Sequence, residues 1–465
     1  MVKANDSRKS KTLLNRVLGR IKPSKNEKAR ELAFAVELVK KINAIEGKHA
    51  EVMLAGSLAR GTNLKGDRDI DIFVLFPEKM PEKEFEKEGL RIGKTAFKGH
   101  KWEEAFSQHP YIRGEINGFD VEVVPSYKVE SASMLKSAVD RSPFHSAYLE
   151  KKLSEKQKEE VLLLKQFLKG IRAYGAELKT SSVPGYVTEL LILAYGDFLG
   201  CMKGVSGWHE GKIIDLEKHL APEEARKKFH HSPLIVVDPV DENRNVAAAL
   251  SEQQFARLVA AANAFLKKPS KIFFFPKKTK PMAIAKLKKK LVEKNFLGLF
   301  LLFPKGLLPD IFWGQLKRIE RKASNQLREG DFTVLRHVAW TDEKKDTAII
   351  FELESLEIEQ TEQRIGPMVS QKEHSAAFLA AHKKPLSGPR VENGRWVLEE
   401  KRSHWHAEKL LKDALEKLKK TEKGMRKAFS KAKALDEKAI SVLYRKNKLF
   451  AEFLTEFIEG KEIWE

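Results

Sequence analysis

Two acids two positions apart, Asp69 and Asp71 in the segment DIDIF, stand twelve residues after a Gly56-Ser57 pair. In an extended strand residues i and i+2 share a face, so both carboxylates point the same way. Two carboxylates a few Å apart repel each other unless a cation lies between them. The flanking Ile70, Ile72, Val74 and Leu75 mark a buried strand, where unpaired acids are costly. A Mg²⁺ held by oxygen ligands and shared with substrate phosphates resolves the conflict. A helix starting at Ser57 would offer free N–H groups and a hydroxyl to phosphate, and Arg60, about one turn in, adds a planar fork for phosphate oxygens. The segment GFDVEVV (118–124) carries Asp120 and Glu122 on one face, either of which completes a two-metal centre. The competing reading is an edge strand whose acids only meet water. A bare D-x-D is common, and the Gly-Ser turn, the arginine and the second acidic strand together decide for chemistry.

Periodicity shows the elements that must position these residues. Asn26 to Lys48 reads as an amphipathic helix, with Leu32, Ala35, Val36, Val39 and Ile42 at helical spacing. Glu51–Ala55, Asp69–Phe76 and Gly118–Val124 read as strands, the last ended by Pro125, and Glu82–Thr95 as a helix between them. The first 150 residues are therefore mixed α/β with a small sheet. From 151 to 265 helical patterns dominate: Val161–Ala173 and Tyr186–Leu199 are apolar stripes, Leu234–Val240 an extended interruption, and 251–266 a further helix. Asn295–Phe303, Asp310–Arg328, Phe332–Trp340 and Thr347–Ile358 then run strand, helix, strand, strand, an order found in ferredoxin-like and RNA-recognition-like units. Residues 366–403 hold an exposed-looking Gly394-Arg395-Trp396, and from Ala407 onward the chain reads as Lys/Glu-rich helix. The class is α+β.

Charge narrows the partner. Lys and Arg number 86 against 65 Asp and Glu, a net charge of +21 over 465 residues, enough chain for about three domains. Such an excess opposes folding by self-repulsion and points to a polyanion. Ser7 to Arg30 could form one basic amphipathic helix for an anionic membrane. Basic residues recur at Lys277–Lys290 and Lys401–Lys433, however, which suits an extended nucleic acid better. No apolar run reaches the roughly 20 residues of a membrane span, no signal segment opens the chain, and the single Cys201 allows no internal disulfide. These features predict a cytoplasmic protein. His230-His231 and His404-x-His406 lack the cysteine partners of a zinc site. Trp396 and Trp405, with basic neighbours, could stack on RNA.

The motifs resemble the archaeal (class I) CCA-adding enzymes, tRNA nucleotidyltransferases of the DNA polymerase β-like superfamily. GSLARGTNLKGDRDIDIFVLFP (56–77), HPYIRGEINGFDVEVVPSYK (109–128), SAVDRSPFH (137–145), LLLKQFLKGIRAYGAELK (162–179), PGYVTELLI (184–192), VVDPVDENRNVAAALS (236–251) and ENGRW (392–396) carry the resemblance. It implies a catalytic head at 1–150, a helical neck that recognises nucleotide at 151–265, a tRNA-binding βαββ body at 266–365, a tail touching the T loop at 366–405, and C-terminal helices returning to the body at 406–465. The implied activity is template-independent addition of C, C and A to tRNA 3′ ends from CTP and ATP, with release of pyrophosphate at two Mg²⁺ ions, Mn²⁺ being admissible. By the same resemblance Asp69, Asp71 and Glu122 are the catalytic metal ligands. The family usually has Asp at the third position; Glu122 shifts that carboxylate by about 1.5 Å, and Asp120 on the same face could compensate. Ser57, Arg60, Lys165 and Tyr174 correspond to triphosphate-binding residues, while His109, Ser142 and His145 line the nucleotide pocket. Arg244 corresponds to the arginine that reads the base edge.

Each of these has a structural competitor: Lys165 a lysine snorkelling to water, Tyr174 a core residue, Arg244 a surface ion pair, His109 a turn cap and Ser142 an N-cap. The implied partners are tRNA, gripped at its acceptor stem and T arm, and CTP and ATP, with no membrane and a homodimer left open. The alternatives are another RNA nucleotidyltransferase, such as a poly(A) polymerase, and a non-catalytic RNA-binding protein with a decayed site.

Overall fold

The computed structural model describes residues 2–46, 50–106 and 108–465, with the backbone alone for residues 2–8, 46 and 133. It divides into two compact units, Met1–Lys277 with Glu462–Glu465, and Lys278–Lys461. The fold is α+β in both.

The first unit opens with α1 (Val2–Ile21) and α2 (Lys25–Glu46), so the single basic helix expected over Ser7–Arg30 is two. Pro23 lies between them, and proline disfavours helical backbone at the residue before it. The far end of the helix expected to reach Lys48 lies outside the described residues. Strand β1 (Glu51–Ala55), the one-turn α3 (Gly56–Arg60), β2 (Asp69–Pro77), α4 (Glu82–Ala96), β3 (Trp102–Phe106), β4 (Pro110–Ile116) and β5 (Phe119–Lys128) follow. The five strands form one sheet in the order β1-β2-β5-β4-β3, with β2 and β5 parallel and the other pairs antiparallel.

Beyond Asp71, β2 is buried on both faces, as its run of Ile72, Phe73, Val74, Leu75 and Phe76 requires of a central strand. Helix α4 covers one face so closely that a Cβ on Gly89 or Gly93 would lie 2.7 Å from Pro125 or 2.6 Å from Ile112. Pro125 does not end β5, which continues to Lys128. Pairing with β4 stops at Val123, so the missing N–H of Pro125 deprives no neighbour on that side. Strands β3 and β4 had no clear signal: Trp102–Phe106 is mostly exposed at the sheet edge and does not alternate.

The same unit continues with α5 (Ser142–Lys152), α6 (Glu155–Gly170), α7 (Gly185–Tyr195), α8 (Phe198–Ser206), β6 (Lys212–Ile214), α9 (Pro222–Lys228), β7 (Leu234–Asp238), β8 (Asp241–Asn245) and α10 (Glu252–Lys267). The apolar stripe Tyr186–Leu199 is two helices, broken where Gly196 takes φ 86° and Asp197 caps α8 by accepting Gly200 N–H. Helices α6, α7, α8 and α10 enclose a core with Phe167, Phe198, Phe265, Phe273 and Phe274 at its centre.

The second unit contains α11 (Ile284–Glu293), β9 (Phe296–Leu302), α12 (Pro309–Glu329), β10 (Val334–Thr341), β11 (Asp346–Leu353), β12 (Thr361–Met368), α13 (Lys372–Ala381), β13 (Ser387–Glu392), β14 (Arg395–Lys401), α14 (Ala407–Thr421), α15 (Arg426–Phe429), β15 (Lys433–Leu435), α16 (Glu437–Lys446) and α17 (Lys448–Glu459). The β9-α12-β10-β11 unit forms a sheet in the order β10-β11-β9-β15, and β12-β14-β13 form a second. The period of two divides the first sheet: Leu297, Leu299 and Leu301 join Phe312 and Leu411 in one core, while Phe296 joins Leu287, Ile440 and Phe450 in another. The stretch after Ala407 is not continuous helix, because three residues near Ala434 extend the sheet at β9. Among the described residues, no helix is long and apolar enough to cross a membrane.

Candidate active site

The parallel pairing of β2 with β5 sets Asp69 beside Asp120 and Asp71 beside Glu122. Four acids thus occupy one face of two neighbouring strands. Among the described residues no carboxylate of Asp69, Asp71 or Glu122 accepts a hydrogen bond or joins an ion pair, although Asp71 and Glu122 are half-buried. Glu122 is pushed up to about 7, first by burial and then by Asp71, against the pull of Arg113. Asp71 is raised by burial and then by Asp69, and Asp69 by burial and then by Asp67 and Asp120. Unpartnered hard oxygen donors that raise one another's proton affinity fit a divalent cation. Their ligand atoms are not drawn together as they would be around an ion. Among the described residues, three such atoms within 4.8 Å of one another occur at Glu82, Glu86 and His109.

These shifts set the sign of a pH effect. Between the ordinary carboxylate range and about 7 the folded protein keeps a proton on Glu122 that the unfolded chain has released, so metal-free stability falls as pH rises through that window. In chelator, Glu122→Gln is therefore expected to gain melting temperature over the parent chain between about pH 5 and about pH 7.5. A gap between the two proteins that does not widen over that range would contradict the arrangement.

A second cluster adjoins the acids. Arg60, on α3, is held in a two-point fork by Glu189 of α7, with Nε and Nη2 each donating at 3.0 Å, and its Nη1 reaches Ser146 of α5 at 3.5 Å. Thr62 Oγ1 donates to the same carboxylate at 2.6 Å. Lys165 is buried rather than snorkelling; its Nζ donates to the Thr62 carbonyl at 2.9 Å, and desolvation lowers its pKa. Tyr174 closes this region with its ring beside Lys169, whose Nζ pairs with Asp67 at 2.9 Å. Ser57 is partly exposed on α3, and Ser142 is the first residue of α5, with Arg141 rather than Ser142 at the cap.

A third cluster holds His145 and Arg244. Both donate to Asp238, at 2.8 and 3.3 Å, and His145 stacks on Tyr186 with ring centroids 4.0 Å apart. His109 is the residue the structure keeps apart. It packs on Phe85 and Tyr127, five strand positions from Glu122, or about 17 Å along β5. The histidines singled out as zinc candidates are engaged elsewhere: His404 pairs with Asp413 and His406 with Glu357, and the His230 and His231 rings meet edge to face.

The sequence reading missed Glu189, Asp238, Tyr186 and Lys169. A signal existed for the two acids: each sits in an apolar run, VTELLI and LIVVD, where an ionised side chain needs a reason.

Residues 36–145 match the nucleotidyltransferase domain family, 159–275 the second domain of tRNA nucleotidyltransferase, and 300–434 the C-terminal domain of the CCA-adding enzyme. The chain is 37% identical to the CCA-adding enzyme of Methanothermobacter thermautotrophicus over 457 residues, covering 95% of this chain and 97% of that protein. The CCA-adding enzyme of Methanosarcina mazei is 37% identical, over 88% of this chain and 90% of its own length. That of Methanocaldococcus jannaschii is 36% identical, over 80% of this chain and 84% of its own. With such identity along nearly its whole length, the chain belongs to the CCA-adding enzyme family.

Proposed function

We propose that the protein adds C, C and A to the 3′ ends of tRNA, taking CTP and ATP and releasing pyrophosphate. The observation that carries the reading is the set of acids on β2 and β5, in register and with side chains unpaired among the described residues. Asp69, Asp71 and Glu122 would hold Mg²⁺, with Asp120 beside them. A Mg²⁺ held there would supply acidity to the attacking 3′-hydroxyl and offset charge on the departing pyrophosphate.

The rest falls to the chain's own side chains. Arg60 has donors left for phosphate oxygens because Glu189 orients the fork without covering all its N–H groups. Lys165, buried and donating to the Thr62 carbonyl, lies close enough to Asp69 and Asp71 to favour their ionised forms. Arg244 would read the base edge: its donors suit the N3 and O2 acceptors of cytosine, while uracil presents a donor at N3. For RNA, the second unit offers Trp405 between the ammonium groups of Lys401 and Lys409, at 5.2 and 5.4 Å from the ring. We assign the acceptor stem and T arm to that unit, and the domain boundaries of the sequence reading stand with this proposal.

The test is a gel assay with a tRNA transcript lacking its CCA end. CTP alone is expected to add two residues, and a third only once ATP is present. A long A tail would instead favour the poly(A) reading, and no addition with intact tRNA binding would favour a decayed site.

A further inference from the structure

Asp238 ends β7 with its side chain fully buried. One oxygen, Oδ2, takes two donors, His145 Nε2 at 2.8 Å and Arg244 Nη1 at 3.3 Å, while Oδ1 accepts Val240 N–H at 3.2 Å. A carboxylate in such a place is tolerable only when donors surround it, so side chains from α5 and β8 are drawn to one fixed point. The His145 ring is also clamped by Tyr186, with ring planes 24° apart, and the buried Tyr186 hydroxyl has no partner among the described residues. Arg244 remains 38% exposed along its side chain, so one N–H is spent on Asp238 and others stay open to solvent.

We propose that Asp238 is a positioning residue for nucleotide selection: it fixes where Arg244 presents its free donors and sets the plane of the His145 ring. The proposal rests on the reading of Arg244 as the group that meets the base. A guanidinium on a half-exposed side chain samples many rotamers, and a donor pattern can tell cytosine from uracil only if it is held in one place. Tethering one N–H removes that freedom before the nucleotide arrives. The rival account is a buried ion cluster that merely joins three elements, and it makes a different prediction.

The experiment measures single-nucleotide addition to tRNA lacking CCA, with CTP and UTP supplied separately, for the parent chain, Asp238→Asn, Arg244→Ala and the double variant. Asp238→Asn is expected to reduce the kcat/KM preference for CTP over UTP by about tenfold to a hundredfold, the worth of a charge-assisted hydrogen bond, chiefly by raising KM for CTP. If Asp238 works through Arg244, the double variant is no worse in preference than Arg244→Ala alone. The proposal is overturned if Asp238→Asn keeps the parent preference while Arg244→Ala loses it, or if the two losses multiply in the double variant. Unchanged preference in Arg244→Ala would instead bring down the reading of Arg244, and the proposal with it. Should Asp238→Asn fail to fold, Asp238→Glu carries the comparison: it keeps the charge but moves it by one methylene, so it is expected to fold and still lose preference.

Discussion

Asp71→Asn is expected to lower CMP and AMP incorporation at least about 10³-fold, a loss of about 4 kcal/mol in transition-state stabilisation, while tRNA binding stays within about twofold. The amide keeps the size of the acid and removes only its charge, and Asp71 lies between Asp69 on its own strand and Glu122 on the next. The same change should leave the melting temperature of the metal-free protein unchanged or higher. Burial and the Asp69 charge disfavour an ionised Asp71, so removing the ion relieves a cost of folding. Loss of activity with gain of stability separates a functional acid from a structural one. Incorporation above about a tenth of the parent rate would remove Asp71 from the metal site.

Gly56→Ala is expected to cost about 10²-fold in incorporation, through a contact rather than through chemistry. Gly56 takes φ 72°, and a Cβ there would stand 1.8 Å from Oδ2 of Asp71. The methyl cannot be accommodated while that carboxylate stays in place, so the Asp71 carboxylate must leave its present position. Backbone strain alone does not account for the effect, and Gly66 supplies the control. Its φ is 84° and nothing lies within 4 Å of the corresponding Cβ, so Gly66→Ala bears the strain without the collision. Equal activity losses in the two variants would show that strain, not displacement of Asp71, is responsible.

What could be read from the sequence follows from the range of the forces involved. The acids on β2 and β5 were legible because a strand's period is two and its flanks are apolar. The βαββ order of the second unit was legible for the same reason, its strands being long, apolar and separated by polar turns. Strands β3 and β15 were not: one is mostly exposed at a sheet edge, the other is three residues long, and only a neighbouring strand makes either extended. The break at Gly196 was hidden because the apolar stripe passes through it. Among site residues, the partners of Arg60 and Arg244 could not be chosen from spacing. Glu189 lies 129 positions from Arg60, and in Arg244's own loop Asp238, Asp241 and Glu242 were equal candidates until the structure paired Asp241 with Arg141. His109 is the converse case, a residue near the acidic strand in sequence that the direction of β4 carries to the other end of the sheet.

The parallel pairing of β2 with β5 also bears on how the protein is made. Parallel neighbours need a crossover, and here α4, β3 and β4 intervene before Glu122 can lie beside Asp71. Closing so long a loop is slow compared with forming a local helix, so the pairing of the four acids is expected among the later features of this sheet to form. A chain emerging from the ribosome exposes Asp69 and Asp71 well before Glu122 is synthesised. Once the strands close, any ion that binds selects the finished sheet over every earlier form and holds it by mass action. On the proposed reading, a cation held by these acids would be a last fastening of the sheet as well as a participant in its chemistry.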